Sequence, residues 1–264
     1  MKVGIFDSGV GGLIIAKAIR KAMPEYDYVY LGDTKRVPYG NRSHETVYEF
    51  TKQGIEYLFK KENCRIIILA CNTASARALR KIQKEYLPKN FPDKKVIGVL
   101  IPTAEECGKF NRVGIIGTVG TIESGAFIDE IKKVNNKTKV FQNAAPMLVP
   151  LAEQGDKKSA KKFIADYLKA FNSKNIEALA LGCTHYPFFK KEIKAILPKK
   201  IKVISQDETV PKKLRDYFAR HPEITKNLSK NKTAKILVTD ITKNIENLAK
   251  KWFGKDTKPE KISI

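Results

Sequence analysis

Along this chain, short unbroken runs of apolar residues alternate with longer stretches in which apolar positions recur every three or four residues. The runs at 3–6, 28–31, 65–70, 95–100, 113–117, 139–142, 178–181, 202–204 and 236–238 read as strands. Several are continuous Ile, Val and Leu, as parallel strands covered on both faces require. Between them, the stretch 157–172 sets Ala160, Phe163, Ile164, Tyr167, Leu168 and Phe171 on one helical face. Val47, Phe50 and Leu58 make a weaker stripe, and Ile245, Leu248, Ala249, Trp252 and Phe253 another near the end. This alternation predicts an α/β fold built on mainly parallel sheets flanked by helices.

A faint internal repeat divides the pattern in two. Val3-Gly4-Ile5 returns as Val113-Gly114-Ile115, each followed by a loop rich in Gly, Ser or Thr. Leu69-Ala70-Cys71-Asn72-Thr73 is echoed at almost the same offset by Leu181-Gly182-Cys183-Thr184-His185. Two related lobes are predicted, 99–206 forming the second and 1–98 the first. The tail 207–264 exceeds what two equal lobes need and is assigned to the first lobe, as a segment that returns to it.

At 264 residues, 42% hydrophobic and 30% charged, the chain can bury a sizeable core and is too apolar to be disordered. Its apolar runs are far shorter than the roughly 20 residues that span a bilayer. Asp7 arrives too early for the apolar core of a secretory signal. A cytoplasmic protein without a membrane segment is therefore expected. The net charge of +22 could suggest a nucleic-acid partner, and residues 190–264 carry 20 basic against 9 acidic groups. Yet no more than two basic residues are adjacent, and lysine far outnumbers arginine, which suits a solvated surface better than phosphate reading. Nucleic acid stays the minor reading.

The four cysteines, Cys64, Cys71, Cys107 and Cys183, include no Cys-x-x-Cys pair, and there are three histidines, so no metal site is signalled. Cys64 and Cys107 read as buried hydrophobes, His44 and His221 as surface residues. The loop Gly9-Val10-Gly11-Gly12 lacks the spacing of a dinucleotide fingerprint, and no phosphate-loop lysine follows. Asp7, Cys71, Thr118 and Cys183 each follow a predicted strand and precede a predicted helix, which Pro187 is placed to start after Cys183. Open parallel sheets bind ligands beyond those strand ends, where helix N-termini favour carboxylates and are expected to lower a thiol's pKa. Asp7 and Ser8 by themselves would equally suit a helix cap. Two lobes facing each other through these loops would set one thiol on either side of a shared cleft. The chemistry of that arrangement is two-base proton transfer at a carbon, one thiolate removing a proton and the opposed thiol delivering one. Asp7, His185 and Glu153 are the candidates to set the charge on each sulfur.

Four segments carry a family resemblance: Phe6-Asp7-Ser8-Gly9-Val10-Gly11-Gly12-Leu13, Gly32-Asp33-Thr34-Lys35-Arg36-Val37-Pro38-Tyr39-Gly40, Ala70-Cys71-Asn72-Thr73-Ala74-Ser75 and Leu181-Gly182-Cys183-Thr184-His185-Tyr186-Pro187. In this order they resemble the signature segments of the glutamate racemases, within the aspartate/glutamate racemase family, from residue 3 to about 205. The resemblance implies two pseudo-symmetric α/β lobes with the active site between them. It implies a cofactor-independent enzyme that interconverts L- and D-glutamate and supplies D-glutamate for peptidoglycan, acting as a homodimer. By match, Cys71 would act on the D-enantiomer with Asp7 assisting, and Cys183 on the L-enantiomer with His185 and Glu153. Asp7, Ser8, Tyr39, Gly40, Asn72, Thr73, Thr184 and His185 would hold the substrate, with Thr118 and Thr121 adding looser contacts. One departure stands out: Ser205-Gln206-Asp207-Glu208-Thr209 lacks the Ile-Asp-Ser start of the family pattern. Two other readings stay open at this level. One is a racemase for aspartate or another small amino acid, the other a basic binding protein that has kept a racemase fold.

Overall fold

Each continuous apolar run becomes a strand, and the strands gather into two separate sheets in which every pairing is parallel. The computed structural model describes residues Met1–Ile264. The first sheet contains β1 (Lys2–Asp7), β2 (Tyr28–Gly32), β3 (Cys64–Leu69) and β4 (Lys95–Gly98). The second contains β5 (Arg112–Gly117), β6 (Lys139–Ala144), β7 (Ala178–Gly182) and β8 (Lys202–Ile204). After β8 the helix Gln206–Arg220 leads back to the first sheet, where β9 (Ala234–Val238) pairs with β2 and β10 (Glu260–Lys261) with β9. The strand orders are β10-β9-β2-β1-β3-β4 and β6-β5-β7-β8.

Counted from β2 and from β6, the two sheets repeat one order, with β1 equivalent to β5 and β3 to β7. The sequence repeat therefore has a structural counterpart. Its glycines sit where neighbours press closest: a Cβ on Gly4 would lie 2.9 Å from Ile67 Cγ1, and one on Gly114 2.9 Å from Ile176 Cδ1. Cys71 and Cys183 then fall just past the ends of equivalent strands.

Some details differ from the sequence pattern. The run 95–100 is strand only to Gly98, because Val99 caps the helix Leu100–Cys107 and takes the Thr103 hydroxyl on its carbonyl at 2.8 Å. The run 65–70 stops at Leu69. The stripe at 157–172 is regular helix to Leu168 and tightens to a 3-10 turn over Lys169–Phe171. The pattern gave no sign of β10, a two-residue exposed edge with no apolar alternation to betray it.

The helix Gly12–Ala22 buries Leu13, Ile15, Ala16 and Ile19 and packs against Gln206–Arg220, which buries Val210, Leu214 and Phe218. One apolar cluster joins Val3 and Ile5 of β1 to Ile116, Leu179 and Leu181 of the second sheet, so the two sheets share a core. Each fully buried Leu or Ile there contributes about 1.5–3 kcal/mol. Cys64 and Cys107 are fully buried among apolar neighbours, and burial pushes both thiols up to about 12. His44 is exposed, and His221 is half-buried, with Nδ1 2.9 Å from Glu223 Oε1. No helix is long and apolar enough to cross a membrane.

Candidate active site

The carboxyl ends of both sheets open onto one cavity of about 430 Å3. Ser8 and Gly9 reach it from β1, Cys71, Asn72 and Thr73 from β3, Thr118 from β5, and Cys183, Thr184 and His185 from β7. Tyr39 and Gly40 come from the turn after β2, and Glu153 from the helix Leu148–Gln154. Both thiols therefore line the same cavity. Two of the residues singled out from the sequence do not line it: Asp7, buried at the end of β1, and Thr121, buried behind other hydroxyls.

Cys71 is the N-cap of the helix Asn72–Arg77, and its sulfur accepts from Ala74 N at 3.4 Å. The sequence led to the expectation that a helix end would lower this thiol's pKa. The opposite holds. Burial, and then the neighbouring Asp7 carboxylate, push Cys71 up to about 12, while the Ser8 hydroxyl and the Ala74 amide pull weakly the other way. Desolvation of a thiolate outweighs one capping amide. Asp7 is raised as well, chiefly by burial, against the opposing pull of His185 and of the Gly9 amide, which donates to Oδ2 at 3.1 Å. Its Oδ1 is buried with no partner in the protein. A thiol that keeps its proton thus sits near the Asp7 carboxyl, which the Gly9 and Gly12 amides also approach.

Cys183 has a different setting. It is followed by a 3-10 turn, Tyr186–Phe189, rather than by the regular helix expected from Pro187. Its sulfur lies 3.8 Å from His185 Nδ1, and His185 Nε2 lies 3.0 Å from Glu153 Oε1. Burial opposes the imidazolium, but the hydrogen bonds and charges of Cys183 and Glu153 outweigh it and push His185 up to about 10. The ring is charged at neutral pH, clamped between sulfur and carboxylate. Between its ordinary 6.5 and about 10, the folded chain holds a proton that the unfolded chain has lost. This contribution to stability is complete below pH 6.5 and is lost as pH rises toward 10. His185→Gln removes it, so the variant's melting temperature should fall less steeply than the parent's between about pH 7 and 9. Parallel melting profiles for the two proteins would refute the assignment.

The remaining polar groups form two supporting networks. Thr73, Thr118 and Thr121 join through their hydroxyls at 2.9, 3.3 and 3.0 Å, linking the loop after β3 to the loop after β5. Tyr39 lines the cavity, and its hydroxyl is spent on Asp33, donating to Oδ2 at 2.5 Å. Fully buried Asp33 also accepts from Arg36 Nε at 2.6 Å and from Thr239 Oγ1 at 2.8 Å. Asp33→Ala should cost about 3–5 kcal/mol, because it strands a guanidinium and two hydroxyls. Urea unfolding measures this, and a loss below about 1 kcal/mol would show that the network does not hold the turn.

Asn72 is not free to serve the cavity with its whole amide. Its Nδ2 donates to Gln206 Oε1 at 2.8 Å, and Gln206 Nε2 donates back to Asn72 Oδ1 at 2.8 Å. Sequence reasoning did not single out Asp33, Thr103 or Gln206. Asp33 lay within a signature segment directly after β2, and Gln206 in the segment that departs from the family pattern, so both had a signal. The cavity walls Pro146, Met147, Val149 and Pro150 had none, being ordinary apolar residues brought in by the chain between β6 and the helix Lys157–Leu168.

Comparison with known proteins agrees with this architecture. The pattern of the Asp/Glu/Hydantoin racemase family matches residues 14–207. The chain is 40% identical to the glutamate racemase of Aquifex aeolicus strain VF5 over 265 aligned positions, covering 98% of this chain and 97% of that one. The crystal structure of glutamate racemase from Francisella tularensis in complex with D-glutamate superposes with a TM-score of 0.88 at 33% identity, covering 99% of this chain and 97% of that one. A glutamate racemase isoform from Bacillus anthracis superposes with a TM-score of 0.90 at 31% identity, covering 100% and 97%. With two parallel sheets in one repeated order and a cavity between their carboxyl ends, the chain belongs to the Asp/Glu/Hydantoin racemase family and is a racemase, an isomerase by class.

Proposed function

We propose that this protein interconverts L- and D-glutamate by proton transfer at the α-carbon between two cysteines. The observation that carries the reading is the placement of Cys71 and Cys183, past equivalent strands of two sheets and lining one cavity. In one direction Cys183, as thiolate beside the His185 imidazolium, takes the α-proton of L-glutamate. The electron pair left on carbon is delocalised into the carboxylate, and the Cys71 thiol delivers its proton to the opposite face. Cys183 then holds a new S–H and Cys71 is the thiolate, so the reverse cycle starts from the D-enantiomer. Asp7 exchanges the proton of Cys71, and Glu153 holds His185 in its charged form. The small polar groups of Ser8, Thr73, Thr118 and Thr184 suit the carboxylates and ammonium of an amino acid.

Names of the relatives support glutamate as the substrate, and no cofactor is called for, because each step moves one proton between groups the chain supplies. The reading extends to a cytoplasmic homodimer that supplies D-glutamate for peptidoglycan. It also divides the chain into lobes 1–98 with 207–264 and 99–206. The test is turnover of L-glutamate in deuterated water with nothing added, followed by chiral chromatography and mass spectrometry, with L-aspartate alongside. D-Glutamate carrying deuterium at the α-carbon is the expected product. Silence on glutamate with turnover of aspartate would overturn the substrate, and racemisation without deuterium uptake would overturn proton transfer.

A further inference from the structure

Gln206 stands outside the cavity, at the first turn of the helix that returns to the first sheet, yet its side chain is fully buried against Asn72 in the turn after Cys71. The two amides form a closed pair, each donating to the other's oxygen at 2.8 Å. Such a pair could be built in either sense, since swapping O and N on both residues leaves two donors facing two acceptors. A third group decides. The Thr103 hydroxyl spends its one proton on the Val99 carbonyl at 2.8 Å, so its oxygen is left to accept. Gln206 Nε2 lies 3.2 Å from that oxygen and 3.5 Å from the same Val99 carbonyl. A carbonyl cannot donate, so the NH2 of Gln206 must face this corner and its oxygen must face Asn72 Nδ2. Asn72 Oδ1 then lies against Gln206 Nε2, and Asn72 Nδ2 keeps a second N–H that Gln206 does not use.

We infer that Gln206 is a positioning residue: it fixes the sense of the Asn72 amide, so that an N–H next to Cys71 is left to donate into the cleft, suited to a carboxylate of the substrate. The inference deepens the glutamate reading and rests on it for the identity of the carboxylate. It also gives the departure at Ser205–Thr209 a function, since a long amide is what spans from this helix to Asn72.

The experiment uses the full chain. Gln206→Met keeps the length and burial but cannot pair, leaving Asn72 able to turn its oxygen to the cleft. Its KM for glutamate should rise about tenfold to hundredfold in both directions, the range of a lost hydrogen bond to a charged group. Its kcat should change by less than about threefold, the signature of lost uniform binding. Asn72→Ala should raise KM similarly, and adding Gln206→Met to it should raise KM no further, because Gln206 acts only through Asn72. A Gln206→Met KM within twofold of the parent would overturn the inference, as would multiplying KM factors in the double variant, or a fall in kcat and melting temperature with KM unchanged. A second arm needs neither turnover nor a variant at Gln206. In 15N-edited spectra of the parent, identified by their absence in Asn72→Ala, one Asn72 side-chain proton should exchange quickly with solvent and the other slowly. Two equally protected or two equally fast protons would overturn it. Absence of glutamate turnover in the parent would instead sink the substrate reading, with the amide protons still deciding the role of Gln206.

Discussion

Cys71→Ser and Cys183→Ser should each cut racemisation by about 10²–10⁴-fold, in both directions, while the protein stays folded. A hydroxyl holds its proton far too tightly to serve as the base in either half of the cycle, so one substitution stops both directions. The fold should tolerate the changes for separate reasons. Cys71 caps a helix through a sulfur that accepts from Ala74 N, and serine is a better cap than cysteine. The Cys183 sulfur makes its one hydrogen-bond contact with His185, which Glu153 continues to hold. Cys64→Ser and Cys107→Ser are the controls: both lie away from the cavity and should keep turnover, at a cost of about 1–3 kcal/mol for burying a hydroxyl. Chiral turnover and thermal melting measured on all four variants check the set. Turnover near the parent's level in either Cys71→Ser or Cys183→Ser would sink the two-cysteine mechanism. Its loss in a folded Cys64→Ser or Cys107→Ser would show that those thiols are more than packing.

Gly11→Ala should be nearly as damaging, although this glycine carries no chemistry. A Cβ there would fall 2.4 Å from His185 Nδ1, 2.5 Å from His185 Cε1 and 2.6 Å from Thr184 Oγ1. Real atoms do not approach so closely, so either the imidazole leaves its place between Cys183 and Glu153 or the two sheets move apart. A shift of about 1 Å in a proton-transfer group costs about a hundredfold, so kcat should fall by that order. Structure determination of the variant alongside its kinetics checks the cause: His185 should be displaced from Glu153. Parent-level kcat with His185 in place would show that the contact between the first sheet's loop and the His185 ring has slack.

The cysteine and glycine substitutions probe one feature from opposite sides. The site is assembled across the gap between two sheets, and its electrostatics are properties of that assembly. Cys71 keeps its proton because burial, and then Asp7, make a thiolate costly, whereas His185 keeps its charge because, against burial, a sulfur and a carboxylate lie on its two nitrogens. Neighbouring groups are thus held in complementary protonation states, as a cycle needs if one sulfur is to give a proton while the other receives one.

How much of this could be read from the chain follows from which forces are local. Strands covered on both faces are apolar at nearly every position, so nine of the ten strands were visible as short apolar runs, β6 with its Lys139, Gln142 and Asn143 least clearly, and their repeat pointed to two related lobes. The thiols were marked by position alone, each following a buried strand in repeated context, where an open sheet binds its ligand. Asp7, His185 and Glu153 were named as partners of those thiols through the family resemblance, but which of their atoms meet was not visible. His185 and Glu153 are 32 residues apart, and Asn72 and Gln206 are 134 apart, distances over which spacing carries no signal. The direction of the Cys71 shift was misjudged for the same reason: a helix end is a local feature that sequence reveals, while desolvation depends on everything packed around the sulfur. Local order and the places where chemistry is offered were determined by the sequence through burial periodicity. Which atoms meet, and what charge each one carries, was decided by the closing of one sheet on the other, because Coulomb interaction and desolvation depend on distance in space and not on distance along the chain.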